Sequence, residues 1–280
     1  MRLLLSGATG QIGDFTIPRL RNAGAEVVAL SRNQHEARYG EEWSITDLLT
    51  DDPFGDAGAF DAWVHLGFLS LALPWLESAV SAGVTKFVAF SSTSIFTKTD
   101  SSSDKEQQTI GKLLDAESEV EKRCEALGIN WVILRPTMIY GAGRDQNVAF
   151  VEAMIRRFGL FPLTRGGSGL RMPVHADDLA QAAVSALQTE VARNRAYNLG
   201  GGEVLSYREL VERVFTHLGK RSRFLPLPLP LARLLSKVAS GLPGFGHVTP
   251  AMFERMSVNL VFDYSDAARD LGFNPRPFSL

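Results

Sequence analysis

The sequence has a single cysteine, Cys124, among 280 residues. That excludes an intrachain disulfide and fits a reducing compartment. Its helix-like neighbours make the thiol an ordinary packed side chain. The five histidines, His35, His65, His175, His217 and His247, fall without ligand spacing, so no metal site is expected. No apolar run approaches the ~20 residues that a bilayer span needs. No basic segment followed by an apolar stretch opens the chain as a secretory signal would, and a cytoplasmic location is expected. Charge of either sign is scarcely in excess, with 29 Lys and Arg against 31 Asp and Glu. Nothing here supplies a global field for nucleic acid or an anionic membrane, and the expected partner is a small-molecule substrate. Internal repeats are absent, and low complexity is confined to Ser101-Ser102-Ser103. What the chain does have is 45% hydrophobic content, enough for a full α/β core as one large domain or one plus a small appendage.

The most informative stretch is Leu3 to Gly13, LLLSGATGQIG. An apolar strand runs directly into Gly7-x-x-Gly10-x-x-Gly13, and a helix follows with Phe15, Ile17 and Leu20 at helical spacing. Backbone N–H groups at such a helix N-terminus point at a pyrophosphate, while the glycines let the backbone approach it. A glycine triplet alone is a weak signal. Here it sits on the first strand of a βαβ unit that continues into Glu26-Val27-Val28-Ala29-Leu30, which is the context the motif needs.

Strand and helix patterns alternate through the first half: strands over 3–5, 26–30, 62–66 and 86–91, with helices over 15–23 and 73–82. That alternation predicts a doubly wound parallel sheet. A polar stretch over 98–108 reads as a surface loop before a helix over 112–127. A strand over 131–134, a helix over 147–158, a glycine turn at 166–169 and a helix capped near His175 and running to Leu187 follow. After Tyr197-Asn198-Leu199-Gly200 the character changes, with a helix over 206–218 and the proline-punctuated run 224–230. Residues 231–238 are apolar on one face. Two readings stand: a helix covering a pocket, or a surface that touches membrane or lipid.

Several separated motifs occur in one order. They are Ser6-Gly7-Ala8-Thr9-Gly10-Gln11-Ile12-Gly13; Gly83-Val84-Thr85-Lys86-Phe87-Val88 leading to Ser91-Ser92-Thr93; Leu134-Arg135-Pro136-Thr137-Met138-Ile139-Tyr140-Gly141; Val174-His175-Ala176-Asp177-Asp178; Tyr197-Asn198-Leu199-Gly200-Gly201; and a tail with Phe262-Asp263-Tyr264-Ser265 and Leu271-Gly272-Phe273-Asn274-Pro275. Through them the chain resembles the extended and atypical short-chain dehydrogenase/reductases, the NAD-dependent epimerase/dehydratase group, over nearly its whole length. The resemblance implies a Rossmann domain over 1–165 and 174–200 and a smaller C-terminal substrate lobe over 201–280 with 166–173. It also implies that Gly7, Thr9, Gly10, Gln11, Ile12 and Gly13 hold the dinucleotide, with Ser31 and Arg32 at the adenosine ribose. Leu66, Gly67 and Ser91 would pass close to the cofactor, and Pro136 and Thr137 would flank the nicotinamide. A helix-mediated homodimer is a further implication.

Members preferring NAD tend to carry a carboxylate after the second strand, whereas this chain has Ser31-Arg32-Asn33, with none to repel a 2′-phosphate. NADP(H) is therefore expected over NAD. An arginine–phosphate contact is worth about 1.5 to 3 kcal/mol; the competing reading of Arg32 is a solvated side chain on a loop. The family's acidic residue near the adenine corresponds to Ser44, which cannot make that contact.

The resemblance breaks at the catalytic pair. The family carries a tyrosine and, four residues on, a lysine that depresses the tyrosine's pKa for proton exchange. No tyrosine occurs here between Tyr39 and Tyr140. One register puts Leu113 and Glu117 at the two positions; another keeps Lys112 but puts Gln108 where tyrosine belongs. Thr93 matches the hydroxyl that binds the substrate oxygen, and is the catalytic candidate that remains. Tyr140 and His175 stand where the family uses tyrosine and histidine for packing, and Asp115 or Glu117 would act as a base only if they faced the pocket. Arg171 corresponds to an arginine that meets the substrate diphosphate in nucleotide-sugar members, with a surface ion pair as the other reading. Arg144, Arg156, Arg157 and Arg165 form either a solvated basic face or an extension of that anion site. Two functions are expected in near balance: an oxidoreductase or epimerase/dehydratase-like enzyme with altered acid–base machinery, and a non-catalytic NADP(H)-binding sensor or assembly protein.

Overall fold

Short apolar runs bounded by turns become seven strands: β1 (Arg2–Ser6), β2 (Glu26–Ser31), β3 (Glu42–Ile45), β4 (Ala62–His65), β5 (Lys86–Phe90), β6 (Asn130–Pro136) and β7 (Arg195–Leu199). They form one sheet in the order β7-β6-β5-β4-β1-β2-β3, every neighbouring pair parallel. The computed structural model describes residues 1–280 apart from 56–57, 100, 144, 146 and 240–248, and the side chains of 237–239. Leu3, Leu4 and Leu5 on β1 are all fully buried, because helices cover both faces of a parallel sheet.

On one face lie α1 (Gly13–Asn22), α5 (Ala176–Gln188) and α9 (Ser265–Leu271), packed on Leu3, Leu5, Val27 and Ala29. On the other lie α2 (Leu76–Ser81) and α3 (Asp104–Leu127), packed on Leu4, Val28 and Trp63. A third core gathers α4 (Val148–Phe158) and α6 (Tyr207–His217) with Phe161, Leu163, Phe253, Met256 and Phe278. Residues 140–163, which the sequence groups with the first lobe, contribute Tyr140, Val151 and Ile155 to this third core; α9, from the far end of the chain, packs in the first.

The helix α3 begins at Asp104, inside the stretch expected as loop. Ser103 caps it by accepting from the Glu106 N–H at 3.5 Å, so the Ser103-x-x-Glu106 spacing within the polar run is a helix-start signal. Neither β3 nor β7 follows from periodicity. Both are short border strands, only partly buried, and both gain their pairing from a single neighbour. The helix over 231–238 is α7 (Leu229–Ala239), beside α8 (Pro250–Arg255); Ala232 and Ser236 turn inward while Leu231, Leu234 and Leu235 remain exposed. Among the described residues no helix is long and apolar enough to cross a membrane.

Candidate functional site

Strand order reverses between β1 and β4, and the loops leaving these two strands border a crevice at their carboxyl ends, where open α/β sheets bind ligands. The β1 loop is shaped for close approach. Gly7 has φ +73°, and a Cβ there would meet the Gly67 nitrogen at 2.7 Å. A Cβ on Gly13 would lie 1.9 Å from the Ala8 carbonyl oxygen, so α1 packs against the loop at a distance only glycine allows. Gly10 N–H donates to Gly7 O at 3.0 Å and tightens the turn. No side chain caps α1, and the Gln11 Oε1 atom is buried without a partner. A backbone cradle with an uncapped helix start suits a pyrophosphate. The residues present therefore fit a dinucleotide.

The opposing β4 loop is held by a buried relay that sequence reasoning missed. Trp63 Nε1 donates to Ser6 Oγ at 2.8 Å, Ser6 Oγ bonds His65 Nδ1 at 2.7 Å, and His65 Nε2 bonds the Phe68 carbonyl at 2.9 Å. The carbonyl accepts, so Nε2 carries the proton and Nδ1 accepts from serine. Burial drives the His65 pKa down to about 4, against the smaller opposing pull of the Phe68 carbonyl. The relay fixes Leu66 and Gly67 against the glycine loop.

Two clefts open from this crevice. One, of about 610 Å³, is walled by Ile12, Leu66, Gly67, Phe90, Ser91 and Pro136 and extends along α3. Ser91 Oγ is buried there without a partner. From α3 this cleft receives Glu106, Thr109, Ile110 and Leu113. Thr109 and Leu113, four apart, share its wall, and Thr109 donates its hydroxyl back to Lys105 O at 2.8 Å. Glu117 does not reach it: buried at 5% side-chain exposure, its carboxylate receives Arg135 Nε at 3.0 Å and also Arg135 Nη2. α3 carries no tyrosine.

The second cleft, also about 610 Å³, lies between Ala8, Thr9 and Asp14 and the segment Gln34 to Trp43. Ser31 Oγ is engaged by Asn33 N–H at 3.1 Å and by His35 Nε2 at 2.9 Å, and His35 lies against Trp43 with centroids 4.6 Å apart. Arg32 is exposed beyond it. Glu41, which the motifs gave no reason to notice, is buried here. Burial raises its pKa, but N–H groups of Arg38 and Tyr39 and the Trp43 indole outweigh that and hold the carboxyl below its usual range. Ser44 bonds Thr46 across β3 at 3.0 Å.

Other candidates are tied elsewhere. Thr93 is buried and donates its hydroxyl to Pro136 O at 3.1 Å; Thr137 donates to Met172 O. Arg171 is 3% exposed and donates to the carbonyls of Leu170, Val258 and Arg255 at 2.8, 2.7 and 2.6 Å. Burial lowers its pKa to about 10. Its guanidinium fastens its own strand to the 255–258 turn, a role the motif did not suggest, and a diphosphate would have to displace those carbonyls to reach it. His175 caps α5 by accepting from Asp177 N–H at 3.1 Å, and Tyr140 packs edge-on against it with centroids 5.1 Å apart. Arg156 pairs with Glu152 at 3.7 Å, Arg157 lies over Phe158, and Arg165 is exposed, so none of the three joins the α3 cleft; Arg144 lies outside the described residues, as does His247. Burial pushes the Cys124 thiol up to about 12, which keeps it protonated and inert.

A family model described as the NAD dependent epimerase/dehydratase family matches residues 3–200. A Sinorhizobium fredii protein, y4nG, is 30% identical over 210 residues, covering 72% of this chain and 52% of its own length. The Arabidopsis thaliana mitochondrial NADH dehydrogenase [ubiquinone] 1 alpha subcomplex subunit 9 is 28% identical over 158 residues, covering 51% of this chain and 38% of that protein. The chain thus spans about half or less of these two relatives. Among solved structures, the UDP-glucuronic acid 4-epimerase of Bacillus cereus, in complex with UDP-glucuronic acid and NAD, superposes with a TM-score of 0.74 at 19% identity, covering 99% of this chain and 95% of that one. That likeness is one of fold.

Proposed function

From the premise that the chain belongs to the NAD dependent epimerase/dehydratase family, we propose that it binds NADP(H) and exchanges hydride with a small carbonyl or hydroxyl compound, free or nucleotide-linked. The observation that carries this reading is the glycine cradle of Gly7 and Gly13 opening, at the reversal of strand order, into a cleft of about 610 Å³. A bound nicotinamide supplies or accepts the hydride. The chain's part is to hold the pyrophosphate on the α1 N-terminus and to keep water from the reacting face with Ile12, Leu66 and Phe90. The smaller lobe, built on the third core, is assigned to the substrate. The family and the Bacillus cereus neighbour carry NAD in their descriptions; the preference for NADP(H) rests on exposed Arg32 and the lack of a carboxylate at the end of β2. Proton transfer comes from solvent or from a cleft group other than tyrosine, and such help is ordinarily worth ~10² to 10⁴-fold.

A second reading has its own support. The α3 wall without tyrosine, and the likeness to a subunit of an NADH dehydrogenase, favour a dinucleotide-binding assembly or sensor protein. Single-turnover mixing of NADPH-loaded protein with sugar nucleotides, quinones and aldehydes separates the two. Oxidation of bound cofactor by any of them supports the enzyme. No oxidation, together with a protein partner whose affinity differs between NADPH and NADP⁺, supports the sensor.

A further inference from the structure

One end of the α3 cleft holds a cation that no hydrogen bond or ion pair among the described residues engages. Lys98 follows the short turn Thr93–Phe96 and lines the cleft, half-buried, with Lys105, Glu106 and Thr249. The neighbouring carboxylate is already committed: Glu106 receives both Arg255 Nη atoms, at 2.6 and 2.8 Å, and the Ser101 hydroxyl at 2.6 Å. Among the described residues the Lys98 ammonium has neither a hydrogen bond nor an ion pair. Lys98 and Arg255 thus share the Glu106 carboxylate, whose hydrogen bonds from a cation all come from Arg255. The same cleft is lined by Thr249, whose hydroxyl is buried without a partner although it stands at the start of α8. A half-buried charge and a buried hydroxyl both left unmatched are costly unless a ligand completes them.

We propose that Lys98 and Thr249 form a subsite for an oxyanion, a carboxylate or phosphate monoester on the substrate, at the end of the cleft away from the glycine cradle. The proposal rests on the reading of this cleft as the substrate site beside a dinucleotide, and it narrows the substrate to an anionic hydroxy or carbonyl compound. The two ends of the cleft have different chemistry. Ile12, Leu66, Phe90 and Pro136 make the end next to the cradle largely apolar, with Ser91 among them, while the cleft's charged side chains are Lys98, Lys105 and Glu106. A substrate anchored by its anion would present the opposite end to the cradle, so that remote binding energy positions the reacting carbon. Burial, and next to it the charge of Arg255, lower the Lys98 pKa, with Glu106 opposing. An anion relieves both penalties.

The test uses the full chain, with and without saturating NADPH, and two probes: inorganic phosphate and malonate. Calorimetry reads affinity, and mass spectrometry after acetic anhydride treatment reads protection of Lys98 against exposed Lys122. At least one probe is expected to slow acylation of Lys98 and not of Lys122. Its affinity should fall about 10- to 100-fold in Lys98→Gln and about 2- to 10-fold in Thr249→Val. The probe that binds more tightly distinguishes phosphate from carboxylate. No protection of Lys98 by either anion, or unchanged affinity in Lys98→Gln, overturns the subsite. Failure of both NADPH and NADH to bind, with anion protection intact, overturns the dinucleotide reading and leaves the subsite standing.

Discussion

The two walls of the crevice are made by different means. The wall between β1 and β4 is main chain: Gly7 against Gly67 and Gly13 against Ala8, with only the His65 relay behind. The α3 wall is side chains: Thr109, Ile110 and Leu113 facing the cleft, anchored below by the buried Glu117–Arg135 pair. Backbone geometry admits almost no substitution, so the first wall keeps the form needed for a dinucleotide. Side chains on a helix face exchange freely while the helix stays put. The second wall carries Thr109 and Leu113 toward the cleft and no tyrosine anywhere on α3.

That contrast can be broken most directly by giving α3 its missing chemistry. Thr109→Tyr with Leu113→Lys puts the pair on the two cleft-facing positions, and oxidation of bound NADPH by a carbonyl panel in single-turnover absorbance should rise ~10² to 10⁴-fold. An unchanged rate would mean that these positions do not face the nicotinamide. Next in size, Glu117→Ala strands the Arg135 guanidinium in a largely buried place. It should cost about 3 to 5 kcal/mol in urea unfolding while dinucleotide affinity per folded molecule stays the same.

On the cradle side, His65 makes stability depend on pH. The folded chain keeps the imidazole neutral down to about pH 4, whereas the unfolded chain takes a proton near 6.5. Stability is therefore full above about pH 6.5 and declines by about 3 kcal/mol as pH falls to about 4. Urea midpoints of His65→Gln should lack that component, so the gap between wild type and variant should close with acidification. A gap that stays constant would refute a neutral buried imidazole. The smallest effect concerns the cofactor's edge. Arg32→Ala should weaken NADPH by about 10- to 100-fold and leave NADH nearly unchanged in fluorescence titration; equal losses would remove the argument for a 2′-phosphate.

What could be read from the sequence follows the same division. Gly7, Gly10 and Gly13 after three leucines announce a backbone conformation, and backbone conformation is what short motifs encode. The parallel sheet followed from alternation, but polarity alone reads the start of α3 as loop, although Ser103-x-x-Glu106 carries the capping signal. Arg171 misled because an arginine's chemistry is the same whether it grips a diphosphate or three carbonyls; only burial distinguishes them. His65, Lys98 and Thr249 gave no signal, since each matters through neighbours tens of residues away, and Glu41 gave none because its local partners Arg38, Tyr39 and Trp43 belong to no motif. Thr109 could have been found by setting the helical period against the cleft, but that needs the direction of the helix face, which α3 acquires only by packing Ala116, Val120 and Cys124 onto the sheet.

Arg276 joins Asp178 at 2.8 Å and Asp177 at 2.7 Å, and Asp177 in turn holds Arg19 of α1 at 2.7 Å. With α9 covering the same face, the helix that begins at the glycine loop is secured by residues far later in the sequence. A nascent chain that has emerged only through β7 would expose Ala183, Leu187 and Tyr197, which α9 later shields, and α1 would wait for α9 before its face is closed.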